Sequence, residues 1–346
     1  MSALGSAAAG AAQLRGEGLE AVLDGGGVQL RSRMQDVEEH LRVVTRGAGV
    51  PLAALAYSTL AAGGKRLRPL LVLLAAEAAG GPGEGEQAEQ RLVRAAAAVE
   101  LVHSATLVHD DLIDGAAMRR GQPTVAATAG PRAAVATGDL LFARAFAELT
   151  LNRDLAQLRA LSDASSALAE GELLQRADLF ADQVTIARYL RRCELKTAAL
   201  FEAACRLGAL SARRSSAALA DALAAFARHI GLAFQILDDV LDVSGPAERT
   251  GKPRGTDLLE GTVTLPLIYA RERDPELARV ELRGLRGTEE AEALCDRVAA
   301  TGALEQARER ALAAVAEAKA ALPGVLASGR SALLGLLADA VVERYR

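Results

Sequence analysis

The sequence predicts an all-α fold, and three observations carry that prediction. Of the 346 residues, 51% are hydrophobic but only 3% are aromatic, with no Trp, so the core is to be built from Ala, Leu and Val. Ala and Leu are strong helix formers. Leu219, Leu223, Phe226, Ile230, Phe234, Leu237 and Leu241 step by three and four residues, which lays one apolar stripe along a helix. Runs of strand-like alternation are absent.

The elements follow in order. The opening "MSALGSAAAGAAQLRGEGLEAVLDGGG" has no charged start and no strong apolar core, so residues 1–27 read as a flexible tail and not as a signal peptide. Residues 28–346 read as one large helical domain, a bundle of about a dozen or more helices around one core. "GGPGEGE" (Gly80–Glu86) is a loop. Ala88–Asp114 contains no Gly or Pro and is helical in composition. "GPRAA" at Gly130 is a turn into the next helix. "SGPAERTGKPRGTDLLEGT" (Ser244–Thr262) is a long polar loop between apolar stretches, where long loops are usually functional. Apolar runs such as "LLVLLAA" from Leu70 fall short of the roughly 20 residues of a membrane span, so no spanning segment is expected.

The formal net charge is −4, with no Lys/Arg-rich block and few aromatics to stack on bases, which argues against a nucleic-acid surface. Cys193, Cys205 and Cys295 are odd in number and far apart, in no metal spacing. They read as reduced, buried thiols suited to the cytoplasm.

Charge is concentrated in "LVHDDLIDGAAMRR" (Leu107–Arg120). Its D-D-x-x-D pattern, Asp110, Asp111 and Asp114, recurs 128 residues later in "FQILDDVLD" as Asp238, Asp239 and Asp242. Residues four apart share a helix face, so Asp110 stacks over Asp114 and Asp238 over Asp242. Like charges at that spacing destabilise a helix unless a cation compensates. All-oxygen donors suit Mg²⁺, which takes a few carboxylates and completes its shell with water and substrate phosphate. Two such clusters could clamp a diphosphate.

Basic residues come in small placed groups. "AGGKRLRPLL" sets Lys65, Arg66 and Arg68 between a glycine turn and a helix start, a plausible anion site. "MRRGQPT" supplies Arg119 and Arg120, "ELKTAAL" supplies Lys196 and Thr197, and "TGKPRGTD" supplies Lys252. Singly, each reads as a solvated charge. Together they match a set of phosphate contacts, with Arg binding bidentately and Lys as a point charge.

The ordered set "GGKRLRP", "ELVHSATLVHDDLID", "RRGQPT", "GDLLFARAF", "GELLQ", "KTAALFEAA", "FQILDDVLD", "GKPRGTDLLEG" and "TLPL" resembles the trans-type polyprenyl diphosphate synthases, from about Tyr57 to Ala270. The resemblance implies a single bundle of mostly antiparallel helices around a deep apolar cavity, usually a homodimer. It also implies repeated condensation of isopentenyl diphosphate with an allylic diphosphate. By the same resemblance Asp110, Asp111, Asp114, Asp238, Asp239 and Asp242 hold Mg²⁺, about three ions per site, on the allylic diphosphate. Not every aspartate need touch a metal. Arg119, Lys196 and Lys252 would contact that diphosphate. Lys65, Arg68, His103 and Arg120 would bind isopentenyl diphosphate, and Thr197 and Gln235 would lie beside the developing cation. His109 could ligate metal, but hard Mg²⁺ prefers oxygen, so it is expected to support the aspartates. One departure is Thr262 after Glu260-Gly261, where many family members carry Lys.

The helix before Asp110 is read as a ruler, since one turn rises about 5.4 Å, roughly one isoprene unit. Short-chain members often place an aromatic residue four or five positions before the first aspartate. Here those positions are Thr106 and Ala105, so the floor is expected to be open. Val102 and Ala95–Ala98 follow, the alanines giving either tunnel room or close helix packing. Phe142 or Phe146 could be the deeper floor. The expected product is of medium or long chain, about six to ten units by this ruler, with geranylgeranyl length as the alternative. A class I terpene cyclase and a non-catalytic partner subunit are less favoured, because both triads and most basic groups are present.

Overall fold

The computed structural model describes residues 17–46, 51–214, 216–245, 253–322, 326 and 328–343. The chain begins with α1 (Glu17–Gly25), α2 (Gly27–Thr45), α3 (Pro51–Ala61), α4 (Leu67–Ala78) and the long α5 (Glu86–Ile113). A minimal hairpin, β1 (Met118–Arg119) and β2 (Gln122–Pro123), and α6 (Val125–Ala129) lead into α7 (Pro131–Asn152) and α8 (Leu155–Ala177). Helix α9 (Ile186–Cys193) runs through a π-helical turn, Glu194–Ala198, into α10 (Ala199–Leu210). The rest is α11 (Ala217–Ser244), α12 (Thr256–Leu259), α13 (Leu265–Arg273), α14 (Thr288–Ala300), α15 (Ala303–Ala321) and α16 (Ser328–Glu343).

Helix starts follow local chemistry. Asp154 Oδ1 accepts from the backbone N–H of Ala156 and Thr185 Oγ1 from that of Arg188, satisfying donors that the first turns of α8 and α9 leave open. Ser216 does the same for α11, and Pro131 occupies the first turn of α7, where its missing N–H costs nothing.

One continuous cluster of buried side chains runs from Val22 to Val341. Helices α5 and α7 pack closely and antiparallel. Gly138 lies against the His109 ring near the start of α7, and at its end Asn152 Nδ2 donates to the carbonyl of Arg91 at 2.8 Å. The stripe on α11 is real: Leu219, Leu223, Phe226, Ile230 and Leu237 are buried between α10 and α15. By length and composition α11 could cross a membrane, but it is packed inside the bundle.

Three expectations change. Within the tail expected over residues 1–27, Glu17–Gly25 is instead the helix α1, which buries Val22 and packs on α16. Residues 1–16 lie outside the described residues. The Ser244–Thr262 loop contains α12, and its Lys252 also lies outside the described residues. The hairpin β1–β2 is too short for alternation to reveal it; Arg120 (φ 51°) and Gly121 (φ 75°) form its two-residue turn, the φ > 0 pair that matches strand twist.

Candidate active site

Each aspartate triad sits at the C-terminal end of a long helix, α5 or α11, with no basic residue in that helix's last turn. A helix C-terminus carries partial negative charge and disfavours carboxylates there. The arrangement therefore calls for external positive charge.

Within each triad the middle aspartate differs from its neighbours. Asp111 is buried, and its Oδ1 accepts from Arg119 Nε at 2.6 Å. Asp239 is buried and both its oxygens are used: Oδ2 accepts from the Tyr189 hydroxyl at 2.6 Å and Oδ1 from Gln235 Nε2 at 2.8 Å. Each oxygen of Asp239 thus already accepts one bond from the protein, which ties the second triad to α9 and to Gln235. Burial and the neighbouring Asp257 push its carboxyl up to about 7, while the bonds from Tyr189 and Gln235 hold it down. Asp110 is half-buried and Asp114 exposed, on one face. Burial pushes the Asp110 carboxyl up to about 6; Lys196 opposes this, and Glu172 and Asp114 add to it. Asp242 Oδ2 accepts from the backbone of Asp257 at 3.3 Å.

The π-helical turn joins the two triads. Lys196 Nζ donates to Glu172 Oε2 of α8 at 2.5 Å, and its charge acts on Asp110. The next residue, Thr197, donates to Gln235 Oε1 at 2.6 Å, one turn before Asp239. Sequence reasoning had no way to see this turn, because a π insertion leaves helical composition unchanged. Such insertions are frequent at functional sites.

The second basic group gathers around the start of α4. Arg68 is half-buried, its Cζ 4.8 Å from the Phe201 ring centroid, and its Nε is buried without a hydrogen-bond partner in the protein. Burial pulls its guanidinium down to about 10, with Glu100 and Asp238 opposing. His103 lies half-buried on α5; burial and the charges of Arg68, Arg120, Arg119 and Arg66 hold it well below the ordinary imidazole range. Arg120, at the hairpin tip, donates to the carbonyl of Gly63, so the hairpin is hooked onto the glycine turn that precedes Lys65. A cleft of about 660 Å³ opens beside Asp111, Arg119, Arg120 and Thr124. Arg66 plays another part. It turns inward at φ 48° and bonds Glu38, Glu100 and the carbonyl of Leu60.

Some expected residues sit elsewhere. His109 reaches α7, 3.7 Å from Asp139 and 3.3 Å from the carbonyl of Val135. Phe142 lies beside it, ring centroids 6.0 Å apart, and so is level with the aspartates; its assignment as a deeper floor is corrected. Ala105, Val102 and Ala95–Ala98 have no accessible surface, so close helix packing is their role in this conformation. Thr106 is half-buried on the His103–Asp110 face and replaces Ala105 as the residue that presents surface there. Thr262 is buried, its N–H bonded to the carbonyl of Asp257. Tyr189, Glu172, Glu100 and Phe201 were not found from the sequence. Glu172, Glu100 and Phe201 had a local signal, lying inside "GELLQ", "ELVHSAT" and "KTAALFEAA"; Tyr189 had none.

Among the described residues no three acidic, thiol or imidazole groups close a metal cage. Mg²⁺ binds through one or two carboxylates and takes its remaining oxygens from water and phosphate. Asp110 and Asp114 share one face of α5, and Asp238 and Asp242 one face of α11, so each pair could present carboxylate oxygens to such an ion.

Fold and site together define an all-α bundle in which a π-helical turn links two aspartate triads. Residues 50–300 match the polyprenyl synthetase family model. The chain is 42% identical to heptaprenyl diphosphate synthase component 2 of Geobacillus stearothermophilus over 234 residues, 68% of this chain and 71% of that one. It is 38% identical to octaprenyl diphosphate synthase of Escherichia coli (strain K12) over 300 residues, 84% and 90% of the two chains. A polyprenyl synthase from Caulobacter crescentus CB15, crystallised with calcium and isoprenyl diphosphate, superposes with a TM-score of 0.86 at 35% identity, covering 94% of this chain and 98% of that one. The chain belongs to the polyprenyl synthetase family and is a prenyltransferase enzyme.

Proposed function

We propose that the enzyme extends an allylic diphosphate by repeated condensation with isopentenyl diphosphate, stopping at a medium or long chain of about six to ten isoprene units. The observation that carries this reading is the bridge between the triads: Lys196 acting on Asp110, and Thr197 bonded to Gln235 beside Asp239. The hepta- and octaprenyl relatives support the chain length.

In this reading the allylic diphosphate lies between Asp110, Asp114 and Asp238, held also by Lys196, Arg119 and Lys252. Bound Mg²⁺, about three ions, would neutralise the oxygens of the leaving diphosphate. Asp110, Asp114, Asp238 and Asp242 would hold those ions, and Asp111 and Asp239 would anchor the triads through Arg119 and Tyr189. The allylic C–O bond breaks and the diphosphate leaves with the electron pair. Lys196 gains interaction energy as that charge develops, which is where electrostatic catalysis acts. Thr197 commits its proton to Gln235, which is anchored on Asp239, so the Thr197 lone pairs are left to face the allylic cation. Lys65, Arg68, His103 and Arg120 orient isopentenyl diphosphate, whose double bond attacks the cation. The new C–C bond forms, a proton is lost, and the released diphosphate accepts it. Apolar helix faces keep out water that would quench the cation.

Support for a homodimer comes from α7, where Val135, 45% exposed, shares a helix face with the half-buried Phe142 and Phe146. Three buried free thiols fit a cytoplasmic setting.

The test is incubation of the purified protein with farnesyl and isopentenyl diphosphates, with Mg²⁺ or with chelator. Metal-dependent products of six to ten units are expected. A sole product of geranylgeranyl length would overturn the chain-length reading, and no consumption of isopentenyl diphosphate would overturn the reaction itself.

A further inference from the structure

The π-helical turn that carries Lys196 and Thr197 is gripped from two sides by glycines. On α8, a Cβ added to Gly171 would stand 2.7 Å from the backbone nitrogen of Lys196 and 3.0 Å from its Cα. On α11, a Cβ added to Gly231 would stand 2.7 Å from Ala198 Cα and 3.2 Å from Phe201 Cγ. Both glycines are buried within their helices. Neither glycine has the positive φ that would call for glycine on conformational grounds. A mid-helix glycine is destabilising relative to Ala, so here the close approach of two backbones is what the missing side chain provides. Glu172, next to Gly171, takes the Lys196 ammonium at 2.5 Å. One turn of α8 thus fixes Lys196 at both ends, backbone and charge.

We propose that Gly171 and Gly231 are positioning residues for catalysis, a pair of backbone contacts that seats the π-helical turn and so sets where Lys196 and Thr197 stand. This rests on the reading of Lys196 as a contact of the allylic diphosphate. The two glycines have different reach. The three atoms nearest a Cβ at Gly171 all belong to Leu195 and Lys196, so it governs the allylic half of the site. Gly231 touches both the turn and Phe201, the ring beneath Arg68, so it governs both halves.

The experiment compares Gly171→Ala, Gly231→Ala and Lys196→Ala with the unaltered protein, measuring KM for each diphosphate, kcat and the circular-dichroism melt. For Gly171→Ala the expected result is a cooperative melt, a fall of tenfold or more in kcat/KM for the allylic substrate, and KM for isopentenyl diphosphate within twofold. For Gly231→Ala both substrates should be affected. A merely structural role would lower the active fraction, reducing kcat for both variants with neither KM changed, and that result overturns the proposal. Loss of allylic kcat/KM in Lys196→Ala but not in Gly171→Ala also overturns it. No effect in Lys196→Ala overturns instead the reading of the site on which it rests. Should a single variant fail to fold, the pair Gly231→Ala with Ala198→Gly moves the methyl group across the contact at constant volume. Recovery of at least threefold in kcat/KM for the allylic substrate over Gly231→Ala alone is expected, and no recovery overturns the proposal.

Discussion

The hydroxyl of Tyr189 donates to Oδ2 of Asp239 at 2.6 Å, tying α9 to the second aspartate triad across 50 residues of sequence. Both side chains are buried, so the bond is made without competition from water. Removing one donor to a buried acceptor costs about 1–3 kcal/mol. Tyr189→Phe is therefore expected to fold with a stability loss in that range, read by urea denaturation. Catalysis should suffer as well, because Asp239 also anchors Gln235 and through it Thr197. A tenfold or greater fall in kcat at saturating substrate is expected. Unchanged kcat would show that the Thr197–Gln235 pair holds its orientation without the tyrosine.

Lys65 and Arg66 are neighbours with opposite duties. Arg66 is 9% exposed and paired with Glu100, which is 4% exposed. Breaking a buried ion pair by removing one partner costs about 3–5 kcal/mol. The loss in Arg66→Ala should be somewhat moderated, because burial already raises the Glu100 carboxyl and loss of Arg66 lets it take up a proton more readily. Lys65 is exposed. Lys65→Ala is expected to leave the melting temperature within a degree or two, about the effect of a surface substitution, while raising KM for isopentenyl diphosphate. Equal destabilisation by the two variants would contradict this division.

His103 gives a pH dependence of defined sign. Its folded-state pKa is depressed by burial and by four arginines, whereas the unfolded chain protonates near about 6.5. Below that pH the unfolded state binds a proton that the folded state resists, so stability is lost as pH falls from the unfolded pKa towards the folded one. His103→Gln lacks this component. The stability of the unaltered protein relative to the variant should be constant above neutrality and decline between pH 7 and pH 5, measured by urea denaturation. The other histidines are present in both proteins and cancel in the difference. A difference independent of pH would show that His103 titrates normally.

Chain length separates Thr106 from Ala105. Ala105 has no accessible surface, so Ala105→Phe overpacks a filled site at a cost of about 1–3 kcal/mol. Thr106 shares the face of His103 and Asp110, and its hydroxyl is bonded back to the carbonyl of His103 at 2.7 Å. Thr106→Phe is expected to shorten the product while turnover persists, read by chromatography of the dephosphorylated products. Shortening by Ala105→Phe alone would mean that the helix rotates or the packing opens when substrate enters.

The sequence by itself determined the helices and the chemistry. Apolar stripes repeat every three to four residues, so the α11 stripe was legible, and the spacing of Asp110 with Asp114 and of Asp238 with Asp242 put each pair on one face. These are local, periodic properties of the chain. Tertiary structure alone decided which member of each triad is committed to the protein. Tyr189 reaches Asp239, and Arg119 turns to Asp111, through contacts that no local pattern encodes. It also decided that Arg66 turns inward while Arg68 keeps a buried donor open, although the two differ by only two positions. The π-helical turn was invisible for the same reason: one inserted residue changes neither composition nor charge. Its place is set by how closely Gly171 and Gly231 let two other helices approach, and that distance exists only once the bundle has closed.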